Sequence, residues 1–318
     1  MTPIRIGTRG SALARWQSHY VASRLAEASP PHETIIVEIT SAGDTITDVP
    51  LSHVEGTGFF TGAIEDALLR GEVDVAVHSH KDLPIDPTPG LVVVAVPARG
   101  PVEDVLVARA GMTLEALPRA ARVGTCSARR AAQVLAHRPD VDLLPLRGNV
   151  PTRLGRVADG DLDAIVLARA GLMRLGLDSH ISEVFSIERM LPAPAQGALA
   201  IQCRVGDLSL RTLLRILDDE PTSRAVRAER CLLHALRGGC SVPVGALAVC
   251  VGSRISLTAG VFGVSSGASV RAEDKGTDPH RLADRVARTL IANGASQILE
   301  EFGRIARIDV AHPTGASV

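Results

Sequence analysis

Arginines stand beside two glycine-threonine turns in this sequence. Arg9 follows Gly7-Thr8, and Arg129 and Arg130 come shortly after Gly124-Thr125. Each turn leads into a predicted helix, where unsatisfied backbone N–H groups and the helix dipole favour an anion. Cations in a first helical turn oppose that dipole by ~0.3–1 kcal/mol each, a cost that an anionic ligand would remove. A solvated arginine pair on a helix surface explains the second turn equally well.

Two more arginines follow the next predicted strand. Arg147 ends a strand expected over 143–146, and Arg153 lies in the helix that follows it. In a doubly wound sheet, strand-to-helix turns lie together at the carboxyl edge, where ligands bind. Because the guanidinium fork pairs bidentately with carboxylates and phosphates, this concentration of arginines indicates a polycarboxylate or phosphate ligand.

A histidine-rich segment follows the apolar strand predicted over 73–77. It reads His78-Ser79-His80-Lys81-Asp82. The two histidines share one face of a strand, so a metal site is formally possible. No third ligand is near in sequence, and packed or capping histidines are the simpler interpretation. Asp82, at the carboxyl edge of the strand, is the better candidate for charge or proton chemistry; its alternative is an ordinary turn residue.

Five cysteines occur at positions 126, 203, 231, 240 and 250. An odd number without a CxxC pair argues against a disulfide framework and against a structural zinc site. Three of them lie in predicted strands or a helix and are interpreted as core thiols. Cys126 lies in the second glycine-threonine turn, as a thiol of lowered pKa or as a small turn residue. Cys240 follows two glycines after a helix, in a loop that could carry an attached group into a cleft.

The composition is that of a globular protein with a sizeable core. The chain has 318 residues, 34 basic and 35 acidic side chains, 46% hydrophobic residues and 2% aromatics. These values exclude a disordered tail, a collagen-like chain and a small disulfide scaffold. The net charge of −1 gives no global attraction to nucleic acid or to an anionic membrane. Without an apolar leader or an 18-residue apolar run, we expect a cytoplasmic protein without a membrane span.

Strands alternate with helices through the first half of the chain, which predicts α/β layers and a largely parallel sheet. The first helix is predicted from Ala12 to Ala28, with Leu13, Trp16, Tyr20 and Val21 on one face.

Two internal repeats suggest that the α/β unit occurs twice. The segment 5–12 resembles 122–128, and 71–75 resembles 160–164, in the same order. We therefore expect two similar α/β domains facing each other across a cleft. After Pro221 the pattern changes to three strands, over 244–251, 255–261 and 269–273, and a helix over 281–302, which predicts a small α+β domain.

Six separated motifs occupy residues 4–11, 74–84, 123–130, 146–154, 191–198 and 238–243. They include His78-Ser79-His80-Lys81-Asp82 and Gly238-Gly239-Cys240. In their residues, order and spacing, these motifs resemble the porphobilinogen deaminase family, also called hydroxymethylbilane synthase. The resemblance covers essentially the whole chain except its last few residues.

The resemblance implies an α/β fold with two similar periplasmic-binding-protein-like domains facing a cleft, plus a small C-terminal α+β domain. The first domain would comprise residues 1–97 and 198–217, and the second residues 98–197. The third would comprise residues 218–318 and carry the cofactor cysteine. This organisation agrees with the internal repeats.

The resemblance also implies a transferase of tetrapyrrole biosynthesis. Family members join four porphobilinogen molecules head to tail, release ammonia each time and finally free hydroxymethylbilane by hydrolysis. A dipyrromethane cofactor, itself made from the substrate, is expected on Cys240 through a thioether. Because each pyrrole carries an acetate and a propionate, the arginines would offset the charge of a growing polyanion.

Site residues are implied by the same match. Asp82 is the catalytic residue, which contacts pyrrole N–H groups, stabilises the cationic azafulvene formed as ammonia leaves, and assists proton transfer. The cofactor is expected against Lys81, Thr125, Ser127, Arg129, Arg130, Arg153 and Gln196. The substrate or growing chain is expected against Arg9, Ser11, Arg147 and Arg174. We expect no metal and a monomer.

One loop departs from the family pattern. Some relatives carry lysines before Phe60, where this chain has His53, Glu55 and Thr57. We expect the glycine-rich loop from Val49 to Phe60 to form a mobile lid with weak electrostatic contact to substrate. An ordinary surface loop is the alternative.

Two other functions fit parts of the sequence. A non-catalytic sensor of a small carboxylate or phosphate would use two α/β lobes and a basic cleft, and would need neither Cys240 nor Asp82. A metal-dependent hydrolase would use His78 and His80. The intact mass of the purified protein separates the three hypotheses: an added dipyrromethane supports the deaminase, the bare polypeptide mass is consistent with the sensor, and bound zinc favours the hydrolase.

Overall fold

A computed structural model describes residues 2–28, 30–40, 61–236 and 242–311, with side chains described as far as Arg304. Cys240 and the predicted lid from Val49 to Phe60 lie outside these ranges. The described chain forms two five-stranded sheets and one three-stranded sheet. The predicted combination of α/β domains with a smaller α+β unit is confirmed, while the boundaries between the domains stay a prediction of the sequence.

The first sheet belongs to the N-terminal lobe and has helices on both faces. Its strands are β1 (Ile4–Thr8), β2 (Thr34–Glu38), β3 (Val75–Ser79), β4 (Leu91–Ala95) and β10 (Leu199–Arg204). The spatial order is β2-β1-β3-β10-β4. Apolar side chains of α1 (Ala12–Ala26) and α6 (Leu208–Leu214) cover one face, and those of α2 (Gly62–Leu69) cover the other.

The second sheet repeats this layout in the next lobe. Its strands are β5 (Asp104–Ala108), β6 (Arg122–Gly124), β7 (Asp142–Leu144), β8 (Ala164–Ala168) and β9 (Glu183–Val184). The spatial order is β7-β6-β8-β5-β9. The helices of this lobe are α3 (Ala128–His137), α4 (Val150–Ala158) and α5 (Arg169–Arg174). The two sheets therefore match strand for strand.

Both sheets are largely parallel, as predicted, but each contains one reversed strand, since four of its five strands run in the same direction. In the first sheet β1 pairs in parallel with β2 and β3, but β10 runs antiparallel to β3 and β4. In the second sheet β5 runs antiparallel to β8 and β9. Local alternation of strands and helices does not reveal the reversed strand, because β10 and β5 pair with strands that are distant in sequence.

The internal repeat has a structural counterpart in each lobe. Arg5 donates from its backbone N and its Nε to Asp74 Oδ2, at 3.0 Å in both cases. Arg122 donates in the same way to Asp163 Oδ2, at 2.8 and 3.2 Å. The repeated arginine at the start of a strand and the repeated aspartate before the neighbouring strand therefore form the same ion pair twice.

The Arg5–Asp74 pair predicts a pH-dependent contribution to stability. Partial burial opposes ionisation of Asp74, but hydrogen bonds from Arg5 and Arg204 prevail and lower its pKa to about 2. The stabilisation is complete above the unfolded-state pKa of ~4 and is lost as the pH falls through the folded-state pKa. Asp74→Asn should therefore lower the free energy of unfolding by up to about 2 kcal/mol at pH 7.

Urea unfolding of Asp74→Asn and the unmodified chain between pH 7 and pH 3 measures this contribution. The difference should shrink once the pH falls below 4. Glu72→Gln is the matched control, since its ion pair with Arg70 is exposed and contributes little. A difference that stays constant over the whole pH range would contradict the assignment.

Helix α1 turns a different face inward from the one predicted. Trp16 is 38% exposed; it stacks on Tyr20 at 5.6 Å between ring centroids, and the Arg174 guanidinium from the second lobe lies 5.6 Å from its ring. Gln17 is buried because its Nε2 donates to Ser79 Oγ at 2.8 Å, a partner far away in sequence. The buried positions are Gln17, Ser18, Val21 and Leu25.

The third unit packs helices on an antiparallel sheet. Its strands are β11 (Val244–Val251), β12 (Arg254–Phe262) and β13 (Ser269–Gly276). The helices are α7 (Glu220–Ala235), α8 (Pro279–Ala292) and α9 (Ala295–Ala311). The single helix predicted over 281–302 is wrong: α8 ends at Ala292 with Asn293 as its C-cap, and Gly294 has a φ of +104°. Glycine adopts this left-handed conformation without strain, so the chain turns and starts a new helix.

Candidate functional site

Residues of both lobes meet at the ends of β3 and β6. The 3₁₀ turn His80–Asp82 follows β3 directly and carries Lys81 and Asp82. On the other lobe the turn after β6 carries Thr125 and Ser127, and Ser127 caps α3. The predicted meeting of strand-to-helix turns at carboxyl edges is therefore present in the structure.

A buried carboxylate lies at the centre of the arginine cluster. Asp104, the first residue of β5, is fully buried, and Arg129 and Arg130 are only 3% and 8% exposed. Arg129 Nη1 donates to Asp104 Oδ2 at 2.7 Å and to Leu191 O at 2.7 Å. Arg130 Nε donates to Asp104 Oδ1 at 2.9 Å, and its Nη1 donates to Val166 O at 3.0 Å. The solvated arginine pair is therefore excluded.

Gln196 connects this cluster to Lys81. Its Nε2 donates to Asp104 Oδ1 at 3.0 Å and to Val102 O at 2.8 Å. Lys81 Nζ donates to Gln196 Oε1 at 3.2 Å. The buried amide thus joins a carboxylate on one lobe to an ammonium on the other.

Burial shapes the electrostatics of these cations. Desolvation by burial and, to a smaller extent, the positive charge of Arg130 lower the pKa of Lys81 to about 8. The same two causes, desolvation first and the charge of Arg130 second, also lower the pKa of Arg153. Desolvation opposes ionisation of Asp104, but the charges of Arg129 and Arg130 hold its pKa below the usual range. Crowded cations of this kind favour an anionic partner.

The predicted hydroxyl groups cap turns in this structure. Ser127 Oγ accepts from Arg130 N at 3.5 Å, and Thr125 Oγ1 accepts from Ser127 N at 3.1 Å. Ser11 Oγ accepts from Ala14 N at 3.3 Å at the start of α1. A hydroxyl that accepts through its oxygen keeps its O–H for donation to a ligand.

The remaining predicted arginines are Arg9, Arg147, Arg153 and Arg174, and Arg174 lies apart from the other three. Arg153 donates from Nε to Gly148 O at 2.7 Å, and the charges of Arg147 and Asp82 affect its pKa, which places these three groups near one another. Arg9 lies on the first lobe, near enough to His78 to affect its pKa. Arg174 instead donates from Nη2 to the carbonyl oxygen of residue 197 at 2.7 Å, at the junction with α1.

The two histidines are packed into the first lobe. His78 Nε2 lies 3.1 Å from Gln202 Oε1, and Gln202 Nε2 donates to Glu65 Oε1 at 2.8 Å. Burial lowers the pKa of His78 to about 4, and lowers that of His80 well below its usual value. Across residues 2–28, 30–40, 61–236 and 242–304, no group of three or more His, Cys, Asp or Glu side chains could hold a metal ion. The packed interpretation of the histidines agrees with these contacts.

Of the three predicted core thiols, Cys203 is buried, whereas Cys231 and Cys250 are half-buried. Burial raises the pKa of Cys203 to about 11, and burial also raises the pKa values of Cys231 and Cys250. Cys126 is exposed; its Sγ donates to Leu146 O at 2.8 Å, so its thiol also joins the turn to the next strand end.

Sequence reasoning missed four charged residues that hold the site together. Glu229 on α7 is fully buried and accepts from Arg99 Nη1 and Nη2 at 2.7 and 3.0 Å. Arg230, the next residue, donates to the carbonyl oxygens of His80 and Leu83, both at 3.3 Å. A charge within an apolar helix face or at the start of an apolar strand is the signal that could have found them. The four residues are Arg99, Asp104, Glu229 and Arg230.

Fold and site together define a class: a two-lobed α/β protein with a cationic site between the lobes and a third α+β domain packed on it. The family model "Porphobilinogen deaminase, dipyromethane cofactor binding domain" matches residues 4–212. The model "Porphobilinogen deaminase, C-terminal domain" matches residues 223–292. The chain belongs to the porphobilinogen deaminase family.

Curated relatives agree with the family models. Porphobilinogen deaminase of Brevibacillus brevis is 45% identical over 302 residues, which are 94% of this chain and 97% of that protein. The protein of the same name from Xanthomonas oryzae is 46% identical, over 94% of this chain and 99% of its own length. The one from Corynebacterium efficiens is 46% identical, over 93% and 99%. The predicted family and its transferase activity in tetrapyrrole biosynthesis are confirmed, and the larger matched domain is the family's cofactor domain.

Weak structural similarity extends to periplasmic binding proteins. An arginine-specific periplasmic binding protein of Salmonella typhimurium aligns with a TM-score of 0.39 and 14% identity, over 70% of this chain and 94% of that one. A putative sulfonate-binding protein of Methylobacillus flagellatus aligns with a TM-score of 0.41 and 11% identity, over 74% and 68%. At these scores the similarity says nothing about function.

Proposed function

We propose that the cationic site between the lobes binds the carboxylates of a dipyrromethane attached to Cys240, and that Asp82 serves the condensation of porphobilinogen beside it. The observation that carries this proposal is the charge of the site. Among the described residues, Asp82 and Asp104 are the acidic side chains whose charges act on Lys81, Arg129, Arg130 or Arg153. A ligand with four carboxylates complements that excess.

Unused hydrogen-bond donors support the same ligand. Within the described part of the chain, Arg129 donates to protein acceptors only from Nη1. Its Nε and Nη2 form the edge of a guanidinium that pairs bidentately with a carboxylate. The donor set of this chain therefore fits the cofactor of the family: guanidinium edges, an ammonium at Lys81 and the hydroxyls of Thr125 and Ser127. When bound, dipyrromethane supplies the pyrrole carbon to which the first substrate is joined.

Asp82 is the exposed member of the site. It ends the 3₁₀ turn His80–Asp82, next to Lys81, and its backbone segment is held from α7 by Arg230. A carboxylate is an anion at neutral pH, so it accepts hydrogen bonds from pyrrole N–H groups. It also stabilises the positive charge that develops on the substrate as ammonia leaves, through a preorganised electrostatic contact.

The incoming substrate is assigned to the other basic residues. Arg9 and Ser11 lie at the first glycine-threonine turn, and Arg147 lies beside Arg153. Arg174 lies at the junction between α1 and the second lobe, where it would contact the growing chain at the edge of the site.

We further infer a cytoplasmic monomer that does not bind nucleic acid. The near-zero net charge gives no global attraction to nucleic acid, which supports the absence of that partner. In the described ranges, no helix is long and apolar enough to cross a membrane.

Peptide mapping tests the attachment site. The unmodified protein should carry the two-pyrrole mass on the tryptic fragment that begins after Arg237. That fragment also contains Cys250, so fragmentation must localise the mass to Cys240. Cys240→Ser should show only the polypeptide mass, and Cys250→Ser, the matched control, should keep the added mass. Dipyrromethane on Cys126 would overturn the assignment.

A further inference from the structure

Within the described part of the chain, Asp104 is the carboxylate shared by Arg129, Arg130 and Gln196. It is fully buried, at the start of a strand whose other residues are apolar. A buried carboxylate is costly unless cations and donors satisfy it. Family membership and charge excess explain the arginines, but neither explains an acidic group inside an anion-binding site.

Its two oxygens determine how the arginines lie. Oδ2 accepts from Arg129 Nη1 at 2.7 Å, while Oδ1 lies 2.8 Å from Arg130 Nη2 and accepts from Arg130 Nε at 2.9 Å. Each guanidinium also donates to a backbone carbonyl, Leu191 O or Val166 O. Two fixed acceptors define the plane of each guanidinium, so the edge of Arg129 that remains for a ligand has one orientation.

The same carboxylate orients Gln196 and, through it, Lys81. Gln196 Nε2 donates to Asp104 Oδ1 at 3.0 Å, which leaves the amide oxygen to accept from Lys81 Nζ at 3.2 Å. The opposite amide orientation would place an NH₂ group against the ammonium. The negative charge of Asp104 also raises the pKa of Lys81, against the larger lowering by burial and Arg130.

We propose that Asp104 is a positioning residue for the cofactor site: it sets the guanidinium planes of Arg129 and Arg130 and, by orienting Gln196, holds the Lys81 ammonium in place. The part that concerns the cofactor rests on the proposed function. The part that concerns Lys81 does not, because it describes the protein without ligand. The two parts therefore need separate measurements.

The lysine count makes the second part measurable. Lys81 and Lys275 are the only lysines of the chain. Amine labelling with trinitrobenzenesulfonate follows the unprotonated fraction, so labelling of each lysine against pH gives a midpoint, with Lys275 as the internal reference. Both proteins are prepared on a Cys240→Ser background, so that neither carries a cofactor. In Asp104→Asn the midpoint of Lys81 should fall by at least about 0.5 pH unit, because an opposite charge is lost.

Cofactor occupancy tests the first part on the chain with Cys240 intact. Asp104→Asn should carry the two-pyrrole mass on a fraction of molecules lowered roughly tenfold or more, since charged hydrogen bonds are lost at both arginines. Asp163→Asn is the matched control: it removes the repeated ion pair with Arg122 in the same lobe, away from the site. It should keep both the Lys81 midpoint and the occupancy.

A folded Asp104→Asn with an unchanged Lys81 midpoint and full occupancy would overturn the proposal. If this variant does not fold, Asp104→Glu replaces it, because it retains the charge and displaces the oxygens by one methylene. Lys81 should then keep its midpoint while occupancy falls, and full occupancy would overturn the proposal. If neither the unmodified chain nor the Asp163→Asn control carries dipyrromethane, the proposed function fails, and the Lys81 midpoint still decides the role of Asp104.

Discussion

Asp82→Asn is expected to purify with dipyrromethane in place and to turn over porphobilinogen at least about a hundredfold more slowly. The amide keeps the shape of the side chain but removes the charge that faces the developing cation. A preorganised electrostatic contact of this kind is worth ~3–4 kcal/mol in the transition state. Asp82 is exposed at the end of its turn, so the fold should be unchanged.

The measurement is hydroxymethylbilane formation, with cofactor content from the intact mass. Asp86→Asn is the matched control in the same loop. Its carboxylate is highly exposed and lies 3.7 Å from His234, outside the site. That variant should turn over normally. Near-normal turnover in Asp82→Asn itself would remove Asp82 from the mechanism.

Loss of the buried arginines should instead prevent cofactor acquisition. Arg129→Leu or Arg130→Leu should purify largely as inactive apoprotein, because a ligand carboxylate loses its guanidinium at about 1.5–3 kcal/mol per charged hydrogen bond. Arg9→Leu should purify with cofactor and stall early in chain growth. The structure adds a second reason to expect apoprotein from Arg129→Leu and Arg130→Leu: each substitution also leaves an oxygen of Asp104 without its cation.

The occupied fraction of each variant, read by intact mass, separates the two groups of arginines. Arg70→Leu is a suitable control, because that arginine forms an exposed pair with Glu72 far from the cleft. Thermal unfolding should accompany each measurement, since apoprotein that is also unfolded says nothing about the ligand. Equal occupancy in Arg9→Leu and Arg130→Leu would contradict the division of roles.

The arrangement of two lobes was predictable because local signals recur. The repeat around Arg5 and Arg122 is visible in the sequence, and both arginines pair with the repeated aspartate. Strand β11 was predicted with its exact bounds, as its run of apolar residues is bordered by glycine and proline signals. These features depend on neighbours within a few residues, which a sequence displays directly.

The features that the sequence did not predict depend on contacts between residues that are distant in sequence. Nothing near Leu199–Arg204 reveals that the strand runs antiparallel to both neighbours. Gln17 is polar, and only Ser79, 62 residues further on, explains its burial. Asp104 escaped notice because its partners are at positions 129, 130 and 196, so an isolated aspartate before apolar residues resembles an ordinary strand start.

Trp16 is the only tryptophan of the chain, and it lies at the junction of the two lobes. Its indole stacks on Tyr20 of its own helix and lies under Arg174 of the second lobe. Indole emission depends on the polarity and charge around the ring, and no other tryptophan contributes to the signal. Fluorescence of the unlabelled protein would therefore report any change in the contact between the lobes at Arg174, and a stopped-flow trace after addition of substrate would time such a change against each condensation step.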